Sequence, residues 1–383
     1  MSLAFAPHDI SAGAVLTVDL SALRSNYRLV RDRVRPAEAA AVVKADAYGL
    51  GATRVASALL KEGCRHFFVA QLCETRDLRA HLPSAAQLYV LNGLLPGAEA
   101  EAIALGVIPV LNSLAQVEAW SAAAVQLGRR LPAALQVDTG MSRLGLSAGE
   151  VEQLRRHPAM LDGIDLVLLM SHLACADEPA HTANADQLAV FRQFAAQFPA
   201  IRRSFANSGG AFLDTTYHGD LVRPGIALYG ADPVPGAVRP RPVVQLDARV
   251  IQVRTITANT GVGYGLTFRA SAPTRLATIG VGYADGWPRG LSGRGAAYVR
   301  GVRAPIAGRI SMDSMTLDIS SLPDDALRAG DLVELIGPNQ TLDDVAGDAG
   351  TIPYEILTSL SRRYARIYTE DETALSNRVA RSA

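Results

Sequence analysis

The chain reads as an α/β protein in two parts, an N-terminal (β/α)8 TIM-type barrel followed by a mostly β domain. Three observations predict this. Short apolar runs alternate with helical patterns about eight times over roughly 220 residues, from Ala14 to about Gly230. A stiff Pro-rich stretch then runs from Asp232 to Pro242. Beyond it, alternation of period two takes over. A doubly wound open sheet is the alternative, but no Gly-x-Gly-x-x-Gly follows the first strand.

Residues 14–19 are predicted as the first barrel strand, followed by a helix capped near Ser21. The next apolar run, 39–43, is closed by Lys44, and a helical pattern follows at 53–61. Further strands are predicted at 66–70, 87–92, 107–112, 133–138, 164–172, 203–207 and 219–223, with helices such as 113–127 and 184–198 between them. Ser147 and Glu150 have the spacing of a capping box. In the second part, strands are predicted at 243–256, 274–283, 296–303, 315–319 and 332–336, with one late helix at 353–361. The division is therefore an extension at 1–13 packing with the β domain, a barrel at 14–240 and a mostly β domain at 241–383.

Composition excludes several classes of function. Of 383 residues nearly half are hydrophobic and 19% are charged, as in a globular protein. Net charge is zero and no basic run stands out, which argues against a nucleic-acid partner. The longest apolar run, 164–170, contains Asp165 and is too short to span a bilayer. The N-terminus lacks the basic segment and apolar core of a signal peptide. Cys64, Cys73 and Cys175 are an odd set without metal spacing, as expected of reduced thiols in a cytoplasmic protein with no metal centre.

Chemistry is expected where the predicted strands end, because active sites of such barrels lie at the C-terminal ends of the strands. Those ends carry Lys44, Asp138, His172, Asn207 and Arg223. The 37 basic residues include only two lysines, Lys44 and Lys61, so the other 35 are arginines. Lys44 is thus a candidate for what arginine lacks, an amine that can lose its proton and attack a carbonyl. Each residue also has a plainer reading: a rim lysine, a hydrogen-bonded rim histidine, an asparagine capping a helix, a surface arginine. Asn207-Ser208-Gly209-Gly210 and Arg223-Pro224-Gly225-Ile226 resemble two phosphate cradles, with small residues exposing backbone N–H groups. An amine, an anion cradle and an arginine suggest pyridoxal phosphate. A sugar-phosphate barrel, or glycines serving only as turn residues, remain alternatives at this point.

With these residues in place the sequence resembles alanine racemase. The resemblance runs through both parts, in the stretches VVKADAYG (42–49), VDTGMSRLG (137–145), MSH (170–172), VRPGIALYG (222–230), VGYG (262–265), VGYADG (281–286), GRISMD (308–313) and IPYE (352–355). It implies a fold-type III enzyme holding pyridoxal 5'-phosphate as a Schiff base on Lys44, and a homodimer whose β domain completes the partner's active site. Its substrate would be a small amino acid, L- or D-alanine. Lys44 then matches one catalytic base, and Tyr264 the opposing base from the other subunit. Arg223 matches the arginine facing the pyridine nitrogen. Tyr48, Ser208, Gly225, Ile226 and Tyr354 match phosphate contacts, with Asn207 and His172 also at the cofactor. Arg143 resembles the arginine near the cofactor hydroxyl and, with the Met312 N–H, would bind the substrate carboxylate; Asp313 would support them, and Tyr283 and Tyr354 would narrow the mouth.

The residue types suit inversion of a carbon centre, since a proton must leave one face and another must reach the opposite face. Lysine and tyrosine have reference pKa values near ~10, so both must be shifted to work near neutrality. His172 would poise Tyr264 by hydrogen bonding. An arginine at the ring nitrogen can only donate, which leaves a weaker electron sink and favours prompt reprotonation over transamination. One position departs from the family pattern: many relatives carry a carbon-dioxide-modified lysine where this chain has Gln136. Arg143 must then be oriented by the Gln136 amide or by a bound anion such as chloride, and halide-insensitive activity would argue against the anion. The enzymatic alternative is a fold-type III decarboxylase of basic amino acids, and the non-enzymatic one is a pyridoxal-phosphate carrier. Tyr264 and the Met312-Asp313 segment weigh against the first, and the long β domain against the second.

Overall fold

A computed structural model of the chain describes residues 11–237 and 239–370. The described residues form two compact units: 23–228 with 232–237 and 239–240, and 11–22 with 229–231 and 241–370. Residues 1–10 of the extension expected to pack with the β domain lie outside the described residues.

The first unit is a closed parallel barrel. Seven neighbouring strands run in sequence order, Ala41–Val42, His66–Val69, Gln87–Val90, Ile108–Leu111, Leu131–Gln136, Ile164–Met170 and Arg203–Ser204. The ring closes because Leu221–Val222 pairs in parallel with Glu38–Ala39, immediately before the first of these. Backbone bonds from Ala40 N to Val222 O (2.8 Å), Val42 N to Pro224 O (2.9 Å) and Arg223 N to Ala206 O (3.0 Å) extend the seam on both sides. The strands are short, mostly apolar and mostly buried, as parallel strands wrapped by helices must be, with polar residues such as Glu38, Gln87, Asp165 and Arg203 exposed near their starts. Phe68 and Tyr89 stack in neighbouring strands with ring centroids 4.3 Å apart. Helices Ala52–Lys61, Thr75–His81, Glu99–Leu105, Leu114–Leu127, Ala148–Arg156 and Thr182–Gln197 connect successive strands. The Ser147–Glu150 capping box forms in both directions.

One strand belongs elsewhere. Residues 14–19, predicted as the barrel's first strand and counted in a barrel of 14–240, are a central strand of the β-rich unit. Ala14–Asp19 pairs antiparallel with Val244–Ile256 and in parallel with Ala365–Thr369. All six residues are buried, and a strand covered on both faces has the same composition in a barrel and in a sheet centre, so periodicity cannot separate the two. Asp19 rather than Ser21 caps the following helix, Leu20–Val34, accepting from the Ser21 and Ala22 N–H groups at 2.8 Å each.

The β-rich unit is organised by the 13-residue strand Val244–Ile256. Its first half pairs with Ala14–Asp19 and Leu332–Ile336, and its second half with Thr274–Ile279, which in turn pairs with Met315–Asp318. A register shift between Val250 and Gln252 marks the change of partners. The single strand predicted at 296–303 is a hairpin, Ala296–Val299 with Val302–Pro305. Its turn residues Arg300 and Gly301 have φ of 49° and 80°, the left-handed pair that a tight two-residue turn requires. Helix Pro353–Ser359 matches the late helix, and Leu342–Ala349 precedes it. Among the described residues no helix is long and apolar enough to cross a membrane, and no cluster of three or more His, Cys, Asp or Glu is arranged to hold a metal ion.

Candidate active site

Lys44 follows directly on the barrel strand Ala41–Val42 and Val43, and it opens a turn with unusual backbone. Ala45, Asp46, Ala47 and Tyr48 all have φ between 53° and 56°, so four consecutive L-residues make one left-handed turn before Gly49. Such a conformation costs about 1–2 kcal/mol per residue and persists only where other contacts hold it. Internal bonds run from Ala47 N to Val43 O (2.9 Å) and from Gly49 N to Ala45 O (2.7 Å), and Asp46 Oδ1 accepts from Ala52 N at 2.8 Å. The Ala45 N–H donates outside the turn, to Glu74. The Lys44 amine is partly buried, and burial together with nearby Arg143 pulls its pKa below the ordinary lysine value, while Glu74 opposes the drop.

His172 and Arg223 lie deeper in the same barrel end. Arg223 is 3% exposed, and its guanidinium donates to Ser204 Oγ and to Ser171 O (2.6 Å). Among the described residues it has no carboxylate partner; burial lowers its pKa to about 9, which still leaves it charged at neutrality. His172 is held to about 3 by burial and then by the charges of Arg223, Arg143 and Lys44, so its ring is neutral. Its Nδ1 lies 3.5 Å from Arg223 Nη2 and its Nε2 lies 3.5 Å from Asn207 Nδ2. A neutral imidazole offers one acceptor, so only one of these approaches is an accepted hydrogen bond.

The two small-residue segments meet as expected, with a difference in who donates to whom. Ser208 Oγ accepts from the N–H groups of Gly225 (2.8 Å) and Ala227 (3.3 Å), tying the two cradles together and leaving the serine proton to be donated. Asn207 Oδ1 accepts from Gly210 N at 2.9 Å, the capping role in its plainer reading. Ile226 begins a short 3₁₀ turn behind Gly225. At Gly225 a Cβ would sit 2.2 Å from the Tyr48 hydroxyl, so glycine is required for space, and Tyr48 is brought to the cradle.

Asp138 does not face the mouth as a reactive group. Its Oδ1 accepts from Gly140, Met141 and Ser142 N–H at 2.9–3.1 Å and shapes the loop that carries Arg143. The Gln136 side chain is buried at the end of its strand but makes no hydrogen bond to Arg143, so direct orientation by the amide is not what the structure shows. Two residues that strand-end reading missed lie here. Gln187 reaches from its helix to Thr139 Oγ1 (3.2 Å), His172 O (3.0 Å) and Ala174 N (2.9 Å). Glu74 follows its own strand by five residues, beyond where a terminal polar residue is sought.

In the β-rich unit the remaining candidates lie on exposed loops and turns. Tyr264 is 71% exposed, Met312 53%, and Tyr283 and Tyr354 are also open. The Tyr283 turn is stitched to the Met312 loop by Tyr283 N to Ser311 O (3.0 Å) and Ala284 N to Met312 O (2.9 Å). Arg363 bridges the same two segments, meeting Asp285 at 3.2 Å and Asp313 at 2.8 Å. Asp285 is buried, and its other oxygen accepts from Gly282 N. Exposed aromatic side chains on backbone held this firmly are suited to meeting another molecule.

Comparison with known proteins extends this geometry. The family model described as alanine racemase, N-terminal domain, matches residues 18–233, and that of the alanine racemase C-terminal domain matches residues 243–368. The chain is 57% identical over 360 residues to a catabolic alanine racemase of Agrobacterium fabrum, covering 94% of this chain and 93% of that protein. It is 54% identical to an alanine racemase of Brucella ovis, covering 96% and 97%. The crystal structure of alanine racemase from Bartonella henselae with covalently bound pyridoxal phosphate superposes with a TM-score of 0.90 at 47% identity, covering 94% of this chain and all of that one. The two family models together span the barrel and the β-rich region, and every motif described above falls within them. This chain belongs to the alanine racemase family.

Proposed function

We propose that the chain is a pyridoxal-phosphate-dependent racemase that interconverts L- and D-alanine with two bases, Lys44 Nζ and Tyr264 Oη, on opposite faces of the substrate carbon. The observation that carries this reading is the grouping at one barrel end: a partly buried amine with a lowered pKa, two arginines, a neutral histidine and a cradle closed by Tyr48, Ser208 and Gly225. The residues fit the cofactor. The site is cationic enough for a phosphate dianion, and Gly225 leaves the phosphate and Tyr48 a space that a Cβ would fill.

When bound, pyridoxal phosphate supplies an electron sink that acidifies the hydrogen on the substrate's α-carbon. Lys44 anchors it and then holds or takes a proton at Nζ, helped toward neutrality by burial and Arg143. Tyr264 is exposed because it serves a second copy of the chain, making the working form a homodimer with shared sites. Arg223 donates to the ring nitrogen and cannot take a proton from it. Ser208, Tyr48, Gly225, Ile226 and Tyr354 bind the phosphate, and Asn207 with His172 flank the ring. Neutral His172 orients Tyr264. Arg143, with an anion beside Gln136, and the Met312 N–H receive the substrate carboxylate, and Asp313 is fixed for this by Arg363. Tyr283 and Tyr354 limit the mouth to small side chains. The compartment we assign is the cytoplasm.

The test is an incubation with L-alanine followed by polarimetry and gas analysis. Loss of optical rotation without carbon dioxide release is expected. Gas evolution would assign a decarboxylase instead, and bound yellow cofactor with neither reaction would leave only a carrier.

A further inference from the structure

Glu74 touches the site only through the Ala45 N–H and its charge near Lys44, yet its carboxylate joins two βα loops of the barrel. Oε2 accepts from the N–H groups of Ala70 (2.7 Å) and Gln71 (2.8 Å) in its own loop, and Oε1 accepts from the Ala45 N–H in the loop that follows Lys44. We propose that Glu74 is the positioning residue for the Lys44 amine, pinning the left-handed turn at its first peptide and so fixing where Nζ points. The proposal rests on the reading of Lys44 as the cofactor's anchor.

Three features support it. The clamp acts on the peptide directly after Lys44, where a rotation would swing the lysine side chain most. The turn it holds is one that four L-residues, two of them alanines, do not adopt unaided. A carboxylate receiving three amide N–H groups has both oxygens fixed by backbone, which makes it a rigid clamp. The charged or titratable groups acting on Lys44 are then Arg143, which disfavours its charge, Glu74, which favours it, and neutral His172.

The scarcity of lysine makes the test direct, because Lys44 and Lys61 are the only two in the chain. Full-length protein stripped of cofactor with hydroxylamine is labelled briefly with acetic anhydride across a pH series. Mass spectrometry then reads Lys44, with exposed Lys61 as the internal reference. Borohydride reduction of the cofactor-loaded wild type first shows which lysine carries the cofactor; a label on Lys61 or on neither overturns the underlying reading, independently of Glu74. In Glu74→Gln the charge and one acceptor are lost, and the Lys44 labelling midpoint should move to lower pH while Lys61 stays in place. Pyridoxal phosphate should bind roughly 10- to 100-fold more weakly, the equivalent of one charge-assisted hydrogen bond. Glu74→Asp keeps the charge but is one methylene too short to span both loops. Its Lys44 midpoint should stay near that of the wild type while cofactor binding remains weakened. Unchanged Lys44 labelling and unchanged cofactor affinity in Glu74→Gln overturn the proposal, and so does a lowered melting temperature with both unchanged, which would make Glu74 only structural.

Discussion

Adding one carbon at position 225 tests the cradle without touching any reactive group. In Gly225→Ala the new Cβ would lie 2.2 Å from Tyr48 Oη, 3.1 Å from Cζ and 3.6 Å from Cε2. Comfortable contacts between such atoms are about 3.5 Å, so the hydroxyl must retreat by more than ~1 Å or the 225 loop must withdraw. The Gly225 φ lies outside the left-handed region, so alanine meets no backbone penalty and the effect is purely steric. Tyr48 cannot retreat freely, since it is buried and closes the left-handed turn. Overpacking of this kind costs about 1–3 kcal/mol, and a ~1 Å displacement of binding groups can lower activity about 100-fold. The assay is cofactor titration by absorbance, together with racemisation kinetics and a urea melt. Gly225→Ala should weaken cofactor binding by about 30-fold, the equivalent of about 2 kcal/mol. Tyr48→Phe in the same background leaves a nearest contact of 3.1 Å and should relieve most of the steric penalty. If Gly225→Ala binds the cofactor and melts like the wild type, the close packing of Tyr48 on the cradle is wrong.

Further outcomes follow from the same geometry. Arg363→Ala removes the side-chain tie between the Tyr283 turn and the Met312 loop, leaving their backbone bonds, and takes the cation from buried Asp285; a lower melting temperature and a several-fold rise in the KM for alanine are expected, with kcat less affected. Because His172 has a depressed pKa, about 3 against an unfolded value near ~6.5, the unfolded chain binds the extra proton. Stability of the cofactor-free protein should therefore fall as pH drops from about 6.5 toward 3, by up to ~1.4 kcal/mol per pH unit, and His172→Gln should flatten that slope in urea titrations. Arg223→Glu exchanges an obligate donor for a group that can hold a ring nitrogen proton, and should raise keto acid formed per turnover of D-alanine; an unchanged product ratio would remove the electron-sink argument for this arginine.

Barrel order and the polar residues at strand ends were legible because burial on both faces and a terminal polar side chain leave one-dimensional signatures. The strand at 14–19 was legible as a strand but not as to its sheet, since two-sided burial looks alike in both. The left-handed turn was hidden because Ala45 and Ala47 signal helix, and the contacts that overrule them come from elsewhere in the chain. Asp138 read as a mouth residue by position, and only hydrogen-bond geometry shows it folded back on its own loop. Glu74, Gln187 and Arg363 act across 29, 48 and 50 residues of sequence, a separation at which no local pattern survives.

The interleaving of the two units has a consequence for synthesis. Ala14 awaits Ala248, and Val15 awaits Ala365, so the earliest strand emerges about 230 and then 350 residues ahead of its flanking strands. At translation rates of about 5–20 residues per second the second interval lasts roughly 20 to 70 s. The whole barrel sequence is made within the first interval, while the run Ala-Val-Leu-Thr-Val-Asp has no partner strand to join. A nascent chain stalled before residue 244 should therefore engage apolar-binding chaperones through this segment, and release should coincide with arrival of Val244–Ile256.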